Sequence, residues 1–150
     1  MERTIFGGTA SEVSIAGPPL TVSFSAAQLG LPASIAASGS ATSSLIQTSN
    51  MPTIAMAAEL ENAGTVTVQR FLDLAGQIPQ GAPISLNLSA GTVGVSNTSD
   101  GVPHQSLKIT VNNGAASAAA LSNVMLLLSA YRSRWQRVFS RPKSSGRIKA

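Results

Sequence analysis

The chain contains no cysteine, a single histidine, a single tryptophan and a single tyrosine, and only 11% of its 150 residues are charged. Without cysteine there is no disulfide framework and no thiolate metal site, and the redox compartment stays open. One imidazole cannot supply the ligand set of a zinc centre. Ordinary domains carry about a quarter of their residues as charges. A surface this poor in charge suits a protein covered by copies of itself or by neighbours; a secreted adhesin-like module is the other reading of the same composition. Long apolar runs are also missing. The stretch nearest to a membrane span, 115–131, is seventeen residues long and broken by Ser117, Ser122, Asn123 and Ser129, whereas a span takes about twenty apolar residues. The first eight residues have no apolar core of the kind a secretory signal needs, so no export is expected.

Motifs for chemistry are equally scarce. Nucleophilic catalysis needs a base beside the nucleophile, and His104, in the loop-like Pro103-His-Gln stretch, is the only imidazole. No G-x-S-x-G elbow accompanies it. The bland reading of His104 is a solvated loop residue. Glu59 and Glu61, two apart, share one face of a strand and could pair as carboxylates, but acids at a strand end also simply keep an edge soluble. Asn97, Ser99 and Asp100 offer oxygens to calcium, yet a turn uses the same residues and one carboxylate holds the ion weakly. Gly91-Thr-Val-Gly94 lacks the spacing of a dinucleotide loop. No catalytic residue, metal or cofactor is expected, and the chain reads as a non-enzyme.

What the chain does have is alternation. Leu20, Val22 and Phe24 alternate with polar residues, the period-two sign of a half-buried strand. Ile54, Met56, Ala58 and Leu60 do the same; Asn62-Ala-Gly64 turns, and Val66, Val68 and Arg70 resume, which predicts a hairpin. Phe71–Leu74 suggests one helical turn. Ile84, Leu86 and Leu88 alternate, Val93 and Val95 continue after Gly91, and Leu107, Ile109 and Val111 form a further strand. Residues 34–44 read as a loop or weak edge, and Glu12–Ile15 as a short strand. Residues 115–130 admit either a helix running into the tail or a last buried strand; the strand is preferred, as a partner for Leu107–Val111. Short strands at this spacing predict an all-β fold, an antiparallel β-sandwich or jelly roll, over a body of residues 1–131.

The remaining residues, 132–150, form a basic arm. Seven of the ten cations and none of the six acids lie there, on a chain of net charge +4. Tyr131, Trp135 and Phe139 recur at i, i+4 and i+8, while Arg134, Arg137 and Arg141 fall on another face, which predicts a short amphipathic C-terminal helix stopped by Pro142 and followed by a basic tail. The candidate partner-binding residues are Tyr131, Arg132, Arg134, Trp135, Arg137, Phe139, Arg141, Lys143, Arg147 and Lys149. Such an arm can anchor its rings in a groove on a neighbouring protein, neutralise nucleic-acid phosphates, or lie on an anionic inner membrane surface.

Thr65-Val-Thr-Val-Gln-Arg-Phe, Gly81-Ala-Pro-Ile-Ser-Leu-Asn-Leu and Leu107-Lys-Ile-Thr-Val-Asn-Asn-Gly together resemble the small β-sandwich structural proteins of bacteriophage virions: minor capsid, penton, decoration and tail components. The resemblance covers roughly residues 50–131. It implies a homo-oligomeric particle subunit in contact with other virion proteins, assembled in the host cytoplasm and fastened by its arm. The alternative is a monomeric ligand- or carbohydrate-binding β-module, whose aromatic platform would have to come from Tyr131 and Trp135.

Overall fold

In a computed structural model that describes residues 21–48 and 51–130, the chain folds into two antiparallel five-stranded sheets facing one another across a single core. The strands are β1 (Thr21–Ser25), β2 (Ser34–Ile35), β3 (Ser40–Thr42), β4 (Ile46–Gln47), β5 (Thr53–Leu60), β6 (Gly64–Phe71), β7 (Ile84–Leu88), β8 (Val93–Thr98), β9 (Ser106–Asn113) and β10 (Ala119–Ser129). The one helix among the described residues, α1 (Ala26–Leu29), is a single turn. Ser25 and Gln28 close it with a reciprocal capping box, and Gly30 ends it at φ 75°. The predicted C-terminal helix, the basic tail and the strand at Glu12–Ile15 lie outside the described residues.

One sheet has the order β1-β10-β5-β8, with β2 also on β10; the other runs β3-β9-β6-β7, with β4 also on β9. Of the connections between successive strands from β5 to β10, only β6 to β7 stays within one sheet, as an antiparallel pair. The chain crosses from β5 to β6, returns from β7 to β8, crosses again to β9 and comes back to β10. The core is what the alternation predicts. Ile54, Met56, Ala58 and Leu60 from β5 face Val66 and Val68 from β6 and, on the strand beside β6, the wholly buried Leu107, Ile109 and Val111 of β9.

Three expectations are corrected. First, β5 and β6 are not a hairpin: the turn at 61–63 carries the chain from one sheet to the other. Both arrangements bury the same alternate residues, so periodicity cannot separate them. Gly64 makes the sharp crossing feasible, since a Cβ there would strike the Asn112 carbonyl and the Leu60 side chain. Second, Val93 and Val95 face outward, 46% and 58% exposed. The inward position between them is Gly94, where a Cβ would collide with Leu88. Third, residues 72–76 form a turn and not a helical turn; the Asp73 carboxylate accepts the Gln77 and Ile78 N–H groups at 2.9 Å each.

Residues 119–129 are a strand, as preferred, but it pairs with β1 and β5 rather than with Leu107–Val111, which lies between β3 and β6. Its register shifts between Ser122 and Met125, and Asn123 sits at φ 50°. Asparagine tolerates this left-handed backbone better than most residues. The bulge turns Leu126 and Leu128 inward and leaves Met125 and Leu127 on the outer face.

This register gives a direct test. Ile109→Ala removes a fully buried side chain and should cost about 2–5 kcal/mol. Lys108→Ala, on the outer face of the same strand, should stay within roughly 0.5 kcal/mol. Urea unfolding of both variants measures the difference; equal losses would refute the register of β9.

Candidate functional site

The predicted partner-binding residues Tyr131, Arg132, Arg134, Trp135, Arg137, Phe139, Arg141, Lys143, Arg147 and Lys149 lie outside the described residues. The structure does define the surfaces around the point where that arm begins. Thr21, Thr53, Thr98 and Ser129 stand at one end of their sheet, so β10 delivers the arm at that end. The last residues of β6 and the first of β9 close the same end on the opposite sheet.

A polar cluster fills this end. Arg70 continues the inward series Val66, Val68, which places a guanidinium on the core side of β6, 6% exposed. It donates from Nη1 and Nη2 to both carboxylate oxygens of Asp100, at 2.8 and 2.9 Å, the two-pronged geometry that best offsets the loss of water. Asp100 also accepts the Val102 N–H at 3.1 Å. The Arg70 hydrogen bonds, joined by that N–H, hold its carboxyl down at about 2. Of the oxygens that Asn97, Ser99 and Asp100 offer to calcium, the two of the only carboxylate, Asp100, are therefore engaged by Arg70. Beside them, His104 Nδ1 and the Thr48 hydroxyl share a 2.6 Å hydrogen bond. Burial, then the nearby Arg70 charge, lowers the His104 pKa against the smaller opposing effects of the Pro52 carbonyl and Asp100. His104 is thus a half-buried neutral ring rather than a solvated one.

Chemically this cluster ties loops together. The Thr48 side chain pairs with an imidazole, but Thr48 is only 1% exposed, and Asp100 is committed to Arg70 instead of orienting the ring. Arg70 Nε and His104 Nε2 are buried without hydrogen-bond partners. Nearby, Ser106 donates to the Asp73 carbonyl at 2.6 Å and Gln80 to the Pro103 carbonyl at 2.9 Å. At the other end, Glu59 and Glu61 do not pair with each other. Glu59 accepts from Asn123, and Glu61 accepts the Ala120 N–H at 3.0 Å, so both fasten the bulged strand.

The two outer faces differ sharply. On the β3-β9-β6-β7 sheet, one row across the strands reads Thr42, Thr110, Thr67, Ser85 and the next Ser40, Asn112, Thr65, Asn87. On the β1-β10-β5-β8 sheet, the rows read Ser25, Met125, Ala57, Val95 and Ser23, Leu127, Ala55, Asn97. Met125, Val93 and Val95 are each about half exposed there (52%, 46% and 58%), so this apolar character faces outward.

Sequence reasoning missed both features. Arg70 was visible as a cation at an inward position of an alternating strand, which requires a buried acid nearby. The outward Met125 and Leu127 were not visible, because the run Val124–Leu128 is apolar on both faces.

No protein-family model matches the chain, and no curated protein matches it. Among solved structures it is similar to one described as "Crystal structure of PirA", at 10% sequence identity and a TM-score of 0.40, over 73% of this chain and 92% of that one. Likeness at this level assigns neither family nor activity.

The cluster generates two predictions. Asp100→Asn leaves a buried guanidinium without its counter-charge and should cost about 3 kcal/mol, the low end for a broken buried pair because the carboxylate side is 42% exposed. Arg70→Met leaves only a partly solvated carboxylate and should cost less; the reverse order by denaturant titration would refute the asymmetry. Both His104 and Asp100 have lowered pKa values, so the folded state resists taking up their protons and loses stability in acid. Stability should decline as pH falls below 6.5, the ordinary value for His104, and again between 3.8 and about 2 for Asp100. His104→Gln should remove the first decline and keep the second, as followed by circular dichroism.

Proposed function

We propose that this chain is a non-enzymatic structural subunit of a virus particle, a single jelly roll that oligomerises and is fastened by its basic C-terminal arm. The observation that carries this reading is the strand order, β1-β10-β5-β8 against β3-β9-β6-β7. Strands early and late in the chain pair inside each sheet, with the nested connections of a jelly roll, an architecture used by viral capsid and lectin domains. The apolar outer face of one sheet supports it further, because contiguous exposed apolar surface marks an interaction site. The arm leaves from the end of that same sheet. Its partner is another virion protein, with nucleic acid or the inner membrane surface as further surfaces that its seven cations suit.

The alternative, a monomeric ligand- or carbohydrate-binding β-module, draws on the hydroxyl and amide rows of the opposite sheet. Those groups partly satisfy one another, through Thr42 with Thr110 at 3.0 Å and Asn112 with Thr65 at 3.2 Å. Native mass measurement over a concentration series, at low and moderate salt, separates the two. Concentration-dependent oligomers are expected. A monomer under every condition would overturn the structural-subunit reading.

A further inference from the structure

The outer face of the β1-β10-β5-β8 sheet has the form of a groove. Its floor is β5, where Ala55 and Ala57 are half-buried and carry only methyl groups. One wall is Met125 and Leu127 on β10; the other, on β8, is Val95 beside Ala57 and Asn97 beside Ala55, with Val93 following next to Glu59. The two strands flanking the floor are roughly 10 Å apart, backbone to backbone, so a helix about 10 Å across with its side chains rests on the wall side chains above the alanine floor. From Thr53 to Glu59 the floor runs about 20 Å. The face carries no cation, and at its far end stand Glu59 and Glu61.

We propose that this groove is the docking site for the chain's own C-terminal segment Tyr131–Arg141. Tyr131, Trp135, Val138 and Phe139 lie toward the floor, and the arginines are held away from it. Four observations favour this occupant. The groove opens at Ser129 and Thr53, where β10 ends, and the chain bends at Ala130. Eleven helical residues span about 16 Å, within the length of the floor. The i, i+4, i+8 spacing of the rings is that of a helix laid in a groove. Glu59 and Glu61 at the far end offer opposite charge to the cations that follow Pro142 in the sequence. A second copy fits less well: the whole face measures roughly 400 Å², about half of what each partner contributes to a stable interface. Attachment to the same chain also gives the segment a high effective concentration.

The consequence concerns the arm's role as a fastener, and this part rests on the structural-subunit reading. Docking converts an apolar face into a basic one, with Arg134, Arg137 and Arg141 presented outward from a fixed platform. Such a surface recognises an anionic partner by charge, while the rings serve the subunit itself.

Trp135 is the single tryptophan, so its fluorescence reports groove occupancy in the full chain without any partner. Wild-type protein, diluted until native mass shows only monomer, should emit at short wavelength. It should also be quenched by acrylamide severalfold less than a synthetic peptide of residues 131–150. Ala57→Arg, which fills the floor, and Val95→Glu, which charges a wall, should each raise quenching toward the peptide's value, with strand content and cooperative unfolding retained. Ser85→Glu, on the opposite face, should change nothing. Peptide-like quenching of the wild-type monomer would overturn the proposal. So would continued protection in both groove variants, or protection only at concentrations where dimers form. Because the measurement is made on monomer, it stands or falls independently of whether the protein assembles into particles.

Discussion

A strand has two faces, and inserting one residue into it exchanges them. That parity rule, applied at Asn123, governs the side of this molecule that matters most. Up to Leu121, β10 buries its odd-numbered residues; past the bulge it buries Leu126 and Leu128. Without the bulge, Met125 and Leu127 would enter the core and Leu126 and Leu128 would leave it. Asn123 tolerates the left-handed backbone, and its side chain is tied to Glu59 on the neighbouring strand. The core, the outer groove and the placement of the chain's exit all follow from where that register shift falls.

The second constraint is electrostatic. A sandwich has two open ends, and this one closes one of them with a buried cation. Arg70 occupies an inward position, where an aliphatic side chain would otherwise continue the core, and Asp100 swings in from the 99–105 loop to neutralise it. A buried pair of this kind adds little net stability over an apolar substitute, but it penalises every arrangement in which the two partners are apart. It therefore selects one position for the 99–105 loop. His104 follows from that position, held as a neutral ring beside Thr48.

The contrast between outer faces links fold to proposed role. Hydroxyl and amide rows on one sheet can remain wet indefinitely, because water satisfies what the cross-strand bonds leave over. Methionine, leucine, valine and alanine on the other sheet gain only by being covered. A subunit built to sit among neighbours can leave such a face for them, or cover it with its own arm and present the arm's charge instead. The second arrangement would give Arg134, Arg137 and Arg141 a rigid mounting, which lowers the entropy lost when a partner binds.

The amino-acid sequence by itself determined that this is a β-rich fold, which alternate residues of β5, β6 and β9 form the core, and that positive charge is concentrated after Tyr131. Each of these depends on local period or on composition, which can be read without knowing what lies opposite. Tertiary structure alone decided that β5 and β6 belong to different sheets, since a hairpin and a crossing bury the same residues. It decided as well that Val93 and Val95 point outward, because Leu88 from another strand leaves room for nothing but Gly94 between them. The pairing of Arg70 with Asp100, thirty residues away, and the groove walls drawn from β8 and β10 are long-range juxtapositions of the same sort. Local pattern records which residues avoid water, and only the packed sheets record which residues they avoid it with.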